Sequence, residues 1–510
     1  MNMTNRPRTS RREFLVWSAA LASSATACSR MEDDSSEAMT TPLTDLSATD
    51  AVAAMRYGDL TAEAYATALL DRCEAGRHLN AFISFEPERV LKAARAADTK
   101  RASGAALASL HGLPIPVKDS VNTKDYPTTG GTRALQNFYP AEDSVLVRKL
   151  KDAGAIVLGK TNIHELSFGW TSNNQAFGAV RNPYDTSRIP GGSSGGTAAA
   201  IAARMAPIGI AEDTQGSIRV PAALCGIYGF RPSQNRYPNQ GVIPITPLFD
   251  QVGPHTRNVA DLALFDHVIT GEPLVDNPTS LQGVRLGVPK GYFYSSLDTE
   301  VERVTNEALK KLVDAGAILV EADIADLGKL ISLTTDPVQS YHTKPMLTKY
   351  LEEFDTGVTF DELIEQISPD IKEAFDLYVL GGAATPTEEE FIAARDVHLP
   401  ALRKTLEDYY RDNNLAAMVF PATQIVAPPI GHDSETTLNG KTVPFVPPIS
   451  RNISPGSTGG LPGLIVPADL NNEGLPVCLE LDGPAGSDRD MLGIGLAIES
   501  VVGHLPPPVI

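Results

Sequence analysis

Apolar residues recur at helical spacing over residues 48–57 and 61–73, and Thr61 followed by Glu63 reads as the start of the second helix. Residues 81–85 read as a strand. Residues 87–102 form a charged amphipathic pattern that predicts a helix, with Pro87 suited to its first position, where the missing N–H has no partner to lose. An apolar stretch from Leu113 to Val121 runs into Lys118-Asp119-Ser120. A helix is predicted over 144–153 and a buried strand over 155–160, and the same unit recurs as helix 304–315 and strand 317–320. Such alternation predicts an α/β fold, with a central, largely parallel or mixed sheet flanked by helices. Residues 330–412 are mostly helical and charged, broken at 381–386, and read as a helical insertion or cap. Strands at 416–421, 463–467 and 476–481 and a helix at 488–502 close the pattern, and Pro506-Pro507-Pro508 ends regular structure. No internal repeat and no linker follow residue 42, so residues 43–510 are expected to form a single large domain.

The N-terminus changes that picture. Thr9-Ser10-Arg11-Arg12-Glu13-Phe14-Leu15 fits a twin-arginine pattern, a short apolar run covers residues 14–22, and Ala25-Thr26-Ala27 fits a small-x-small cleavage site. Residues 1–27 are expected to be an export signal, and 28–42, acidic and rich in Ser and Thr, a flexible linker. The expected location is the periplasm. Cys28 directly follows the cleavage site and raises lipid anchoring, against which stands the absence of the usual Leu before it. Contact with a membrane is expected only in that case.

The chain has 510 residues, a formal charge of -19 and 42% hydrophobic residues, values of a globular protein. Its acidic balance argues against nucleic acid as a partner, since such partners select basic patches. Cys28, Cys73, Cys225 and Cys478 form no CxxC pair, which speaks against a metal framework. One disulfide stays open, and the apolar surroundings of Cys225 and Cys478 suit buried thiols. His164-Glu165 belongs to no HExxH motif and reads as structural.

Two turns of small residues carry the candidate chemistry. Gly191-Gly192-Ser193-Ser194-Gly195-Gly196 precedes an Ala-rich helical stretch at 198–205, and Glu212-Asp213-Thr214-Gln215-Gly216-Ser217 follows an apolar run at 206–211. Ser193 and Ser194 both fit G-x-S-x-G, but the residues before them, 181–190, hold two prolines and make a poor central strand for a nucleophile elbow. No Gly-Lys-Ser/Thr ends the glycine run, which disfavours a phosphate loop. Ser217 is better placed, because successive N–H groups in a tight turn can converge on one developing oxyanion. A Gly-Ser pair alone is usually only a turn.

Lys118 ends an apolar run where burial is expected. Burial disfavours an ammonium, so such a lysine can be neutral and act as a base. A lysine at a strand end is more often on the surface. The combined pattern outweighs these bland readings. Residues 111–119, Pro190 to Gly196, Asp213 to Pro221 with Cys225-Gly226, residues 229–233 and Gly474-Leu475-Pro476-Val477 together resemble the amidase signature family. Residues 236–238, 244–247 and 481–488 look closest to its bacterial mandelamide and indoleacetamide hydrolases.

The resemblance implies a cofactor-free, metal-free amidase with a Ser–cis-Ser–Lys triad. Ser217 is the implied nucleophile, Ser193 the proton relay and neutral Lys118 the base. Backbone N–H groups of Thr214, Gln215, Gly216 and Ser217 form the implied oxyanion hole. Gly192, Ser194, Asp213 and Arg219 support the site. The expected partners are a small amide, aryl or arylalkyl in kind, and water, with a homodimer left open. Carbamates, anilides and peptide amides stay in view as substrates. The alternative is the glutaminase subunit of a tRNA-dependent amidotransferase, which the export signal argues against. One departure stands out. The family usually has Gly-Gly-Ser where this chain has Gln215-Gly216-Ser217, so Gln215 is expected either to reach into the pocket or to pack behind the turn, with strain if it needs a positive φ.

Overall fold

A computed structural model describes residues 41–510. The expected signal segment 1–27, and the linker through residue 40 with Cys28, lie outside the described residues. Residues 42–510 form one compact unit. Its sheet has eleven strands: β1 (Phe82–Phe85), β2 (Pro114–Lys118), β3 (Ile156–Thr161), β4 (Ile208–Asp213), β5 (Tyr228–Arg231), β6 (Gln251–Thr256), β7 (Arg285–Gly287), β8 (Ile318–Val320), β9 (Ala417–Pro421), β10 (Gly463–Leu470) and β11 (Pro476–Asp482). They lie in the order β1-β3-β2-β4-β6-β5-β10-β11-β9-β7-β8. The sheet is mixed, as expected: β2 runs parallel to β3 and β4, and β4 runs antiparallel to β6.

Side-chain caps set many helix starts. Ser47, Thr61, Ser144 and Asn258 each accept a backbone N–H in the first turn of the helices Ala48–Tyr57, Ala62–Ala75, Val145–Asp152 and Val259–Thr270. Asp298 does the same for Thr299–Asp314, which starts five residues before the expected 304. The helix expected at 198–205 instead spans Gly195–Ala202. It begins within the glycine run because a Cβ at Gly196 would stand 2.3 Å from the Asn162 carbonyl oxygen and 2.5 Å from that of Ala81. Only glycine lets this helix start so close to the neighbouring backbone.

Two apolar cores stabilise the sheet. One joins β2 and β3 to the N-terminal helices and Gly195–Ala202; the other joins β10 and β11 to the helices Thr299–Asp314 and Asp488–Val502. The helix Val259–Thr270 serves both, giving Leu264, Phe265 and Ile269 to the first and Val259, Leu262 and Ala263 to the second. Cys73, Cys225 and Cys478 are free and buried. β5, β6 and β7 were not expected from the sequence. β6 reads Gln-Val-Gly-Pro-His-Thr, yet all six residues are buried, with Gln251 and His255 bonded to main-chain carbonyls. Between residues 327 and 413 lie the helices Leu327–Glu353, Phe360–Gln366, Pro369–Tyr378, Glu388–Ala393 and Leu399–Asn413.

Candidate active site

Lys118 is the last residue of β2, and the parallel pairing of β2 with β4 brings it beside Glu212. The Lys118 side chain is fully buried. Its Nζ donates to Ser193 Oγ at 2.6 Å and lies 2.6 Å from Glu212 Oε2. Burial pushes the Lys118 ammonium to a lower pKa, and the Glu212 carboxylate pulls the other way. Glu212 also accepts from Ser120 Oγ at 3.2 Å and Ser167 Oγ at 3.1 Å.

Ser193 follows a cis peptide bond with Gly192. A Cβ on Gly192 would stand 2.8–2.9 Å from main-chain atoms of Trp170, Thr171 and Ser172, so glycine alone fits there. The Ser193 carbonyl accepts from His164 N at 3.1 Å and Ser172 Oγ at 3.3 Å. Ser194 Oγ donates to the Glu212 carbonyl at 3.1 Å and ties the first turn to β4.

The second turn leaves the end of β4. Asp213 is its brace, accepting from Gly216 N at 2.8 Å and Ile218 N at 3.1 Å. Arg219 Nε donates to Asp213 Oδ2 at 3.1 Å, and Arg231 Nη1 lies 3.3 Å from Asp213 Oδ1. These two guanidinium groups hold the buried Asp213 carboxyl well below the usual carboxylate range despite its desolvation. Of the four expected oxyanion donors, the Gly216 N–H is already engaged, by Asp213 Oδ1. The N–H groups of Thr214, Gln215 and Ser217 meet no acceptor among the described residues.

Gln215 carries no strain. The positive φ of the turn falls on Gly216, at 109°. Gln215 lines the same cavity as Ser217, and its side chain is tied to the helix Ser454–Gly459, where Oε1 accepts from Ser454 Oγ at 2.7 Å and Nε2 donates to Thr458 Oγ1 at 3.2 Å. Trp170 Nε1 donates to the Gln215 carbonyl at 2.9 Å.

Ser217 is 5% exposed and its hydroxyl is committed to no hydrogen bond among the described residues. It lines a cavity of about 530 Å³. Phe168, Trp170, Tyr378 and Phe445 supply aromatic wall, and Asp336, Asp370, Glu373 and Asp433 supply carboxyl groups. Among the described residues no Lys or Arg lines it. His164, which lines it, is held neutral by burial, its pKa lowered to about 4. Asp370 Oδ1 is buried without a partner, and burial raises the carboxyl pKa of both Asp336 and Asp370.

The structure thus joins Lys118 to Ser193 directly and sets Ser217 on the cavity wall. It adds residues that the sequence reading missed. Glu212 was read as part of a polar turn, but β4 continues through it, paired with Val252. His164 reaches the cavity. The helical segment 330–412 supplies part of the wall, from Asp336 to Tyr378, and residues between Gly431 and Val446 supply another part. No group of three His, Cys, Asp or Glu side chains among the described residues is arranged to hold a metal ion.

A family model described as Amidase matches residues 64–492. The chain is 39% identical to an indoleacetamide hydrolase of Agrobacterium vitis over 462 residues, covering 90% of this chain and 97% of the relative. It is 36% identical to a mandelamide hydrolase of Pseudomonas putida over 480 residues, covering 91% and 93%. A crystal structure of an amidase superposes with a TM-score of 0.80 at 31% identity, covering 90% of this chain and 100% of that one. The chain belongs to the amidase signature family and is an enzyme that hydrolyses amides.

Proposed function

We propose that this amidase acts on neutral aryl or arylalkyl amides through an acyl-enzyme on Ser217. The observation that carries the proposal is the buried 2.6 Å bond between Lys118 Nζ and Ser193 Oγ, next to a turn whose serine is free on an aromatic cavity wall. Ser217 attacks the amide carbonyl. Ser193 takes the Ser217 proton as it gives its own to Lys118, and the return of that proton frees the amine. Free N–H groups of Thr214, Gln215 and Ser217 receive the oxyanion. Water then cleaves the ester.

The aromatic wall and the names of the relatives support an aryl substrate. The wall also weighs against the glutaminase reading, because glutamine brings an α-carboxylate and no Lys or Arg among the described residues lines the cavity to receive it. We further propose twin-arginine export of the chain on the strength of residues 9–27, with the mature enzyme in the periplasm. Mass spectrometry of the mature N-terminus tests cleavage after Ala27 and any lipid on Cys28.

The test of the chemistry is a panel of aryl, arylalkyl, peptide and carbamate amides with Lys118→Ala, Ser193→Ala and Ser217→Ala. Each substitution is expected to lower kcat at least a hundredfold, and only Ser217→Ala to abolish trapping of an acyl group or phosphonate at that peptide. Full hydrolysis by Ser217→Ala sinks the mechanism.

A further inference from the structure

Gln215 is pinned on every side but one. Its carbonyl accepts from Trp170 Nε1 at 2.9 Å, the following N–H, that of Gly216, donates to Asp213 Oδ1 at 2.8 Å, and its side chain bonds Ser454 and Thr458. Thr214, before it, is held by its hydroxyl, which donates to Asp250 Oδ1 at 2.6 Å. The group left over is the Gln215 N–H, which meets no acceptor among the described residues and receives the oxyanion in the mechanism proposed above.

The side-chain bonds run on past the turn. Gln215 Nε2 donates to Thr458 Oγ1 at 3.2 Å, and Thr458 Oγ1 lies 2.8 Å from Thr335 Oγ1. All three side chains are buried. Thr335 belongs to the helix Leu327–Glu353, which sets the next residue, Asp336, and then Gln339 and Ser340 on the wall of the substrate cavity. Neither Thr335 nor Thr458 lines that cavity. We infer that Gln215 is a positioning residue: the bridge from Gln215 through Thr458 to Thr335 holds the Gln215 N–H in fixed relation to the helix Leu327–Glu353, so that the oxyanion turn and the substrate wall keep one geometry. This role rests on the acyl-enzyme reading above.

The chemistry of the links favours a bridge over mere filling of space. A buried amide or hydroxyl has no water to turn to, so each link is kept at its partner by the cost of leaving it unmade. The helix also needs an outside hold at this point. Pro337 lies inside it and brings no N–H to the Leu333 carbonyl, four residues back, and Thr335 sits within that weakened turn. The middle link is itself anchored. The short helix Ser454–Gly459 also carries Ser457, whose Oγ donates to Asp213 Oδ1 at 3.2 Å and whose carbonyl accepts from Arg231 Nη2 at 3.3 Å. The braces through Asp213 and through Gln215 thus meet in one helix. An oxyanion donor works by standing in place before the charge forms. A loosened donor therefore costs kcat and leaves KM, which reports the uncharged amide, nearly as it was.

The test is kcat and KM in Thr335→Val, Gln215→Met and the double variant, with the fastest arylalkyl amide of the panel above as substrate. Valine keeps the shape of Thr335 without its hydroxyl, and methionine keeps the length of Gln215 without its polar end. Each single variant is expected to lower kcat about tenfold with KM within about twofold, and the double variant to lose no more than the worse single one, because both cut one bridge. Thr335→Ser, which keeps the hydroxyl, is expected to stay within about twofold of the wild type in kcat. If Gln215→Met does not fold, Thr458→Val takes its place in the cycle. An unchanged kcat in Thr335→Val, a loss that Thr335→Ser shares, losses that multiply in the double variant, or a loss confined to KM each overturns the inference. Ser217→Ala separates that failure from failure of the mechanism: its loss of hydrolysis keeps the acyl-enzyme reading, whatever Thr335→Val does.

Discussion

Asp213 and Arg219 hold the nucleophile turn as a unit, with Arg219 Nε 3.1 Å from the Oδ2 that also receives the Ile218 N–H. Both side chains are wholly out of solvent. Arg219 keeps Glu480, but Asp213 is the one carboxylate that pairs with the buried Arg231 among the described residues, so its removal strands that charge at a cost of about 3–5 kcal/mol. Asp213→Ala is therefore expected to lose that much stability in urea unfolding and to lose activity in whatever fraction stays folded. A variant with unchanged midpoint and slope would contradict the bracing role.

Gln215 ties the turn to the helix Ser454–Gly459. Gln215→Gly restores the residue usual in the family but removes bonds to Ser454 and Thr458 and adds backbone freedom. The expected result is a loss of about 1–2 kcal/mol in stability and no gain in kcat/KM. A faster, equally stable variant would show that Gln215 is a departure without structural purpose.

How much of this was legible in the sequence follows from where each signal is local. Lys118, Ser193 and Ser217 stand in small-residue and apolar tracts whose patterns survive without knowledge of the fold, and the helix–strand alternation gave the α/β class. Glu212 was hidden because strand pairing, not local composition, carries β4 past the apolar run to Asp213. That Asp213 engages the Gly216 N–H was equally hidden, since it depends on which way the Asp213 side chain turns. β5 and β6 escaped because Arg231, Gln251 and His255 look like surface residues until their buried partners are known.

The cavity sets a charge preference. With four carboxyl groups and no Lys or Arg on its wall among the described residues, it is expected to favour amides bearing an amine over matched amides bearing an acid by at least about tenfold in kcat/KM, or about 1.4 kcal/mol. Asp370→Asn is expected to narrow that gap, since Asp370 Oδ1 is buried without a partner. Equal rates across the charge series would remove the wall from the account of specificity.

Stability is expected to fall as pH rises from about 4 toward 7. Burial raises the Glu499 carboxyl to about 7, and Asp250 is likewise held near 7. For a carboxyl whose folded pKa is raised, the folded state binds the extra proton. Its stabilisation is complete below the unfolded pKa and is lost as pH rises through the folded one. Each group contributes a slope of at most about 1.4 kcal/mol per pH unit. Glu499→Gln is expected to flatten the curve of unfolding midpoint against pH in this window; an unchanged slope would exclude Glu499 as a source.

The three buried thiols have a consequence for when this chain can fold. Burial raises the pKa of Cys73, Cys225 and Cys478, which suppresses the thiolate that oxidants attack. No covalent cross-link contributes to the described fold, so no oxidising compartment is needed to complete it. The domain can reach its final form in reducing surroundings with Cys73, Cys225 and Cys478 as thiols, as the export proposed above would ask of its cargo.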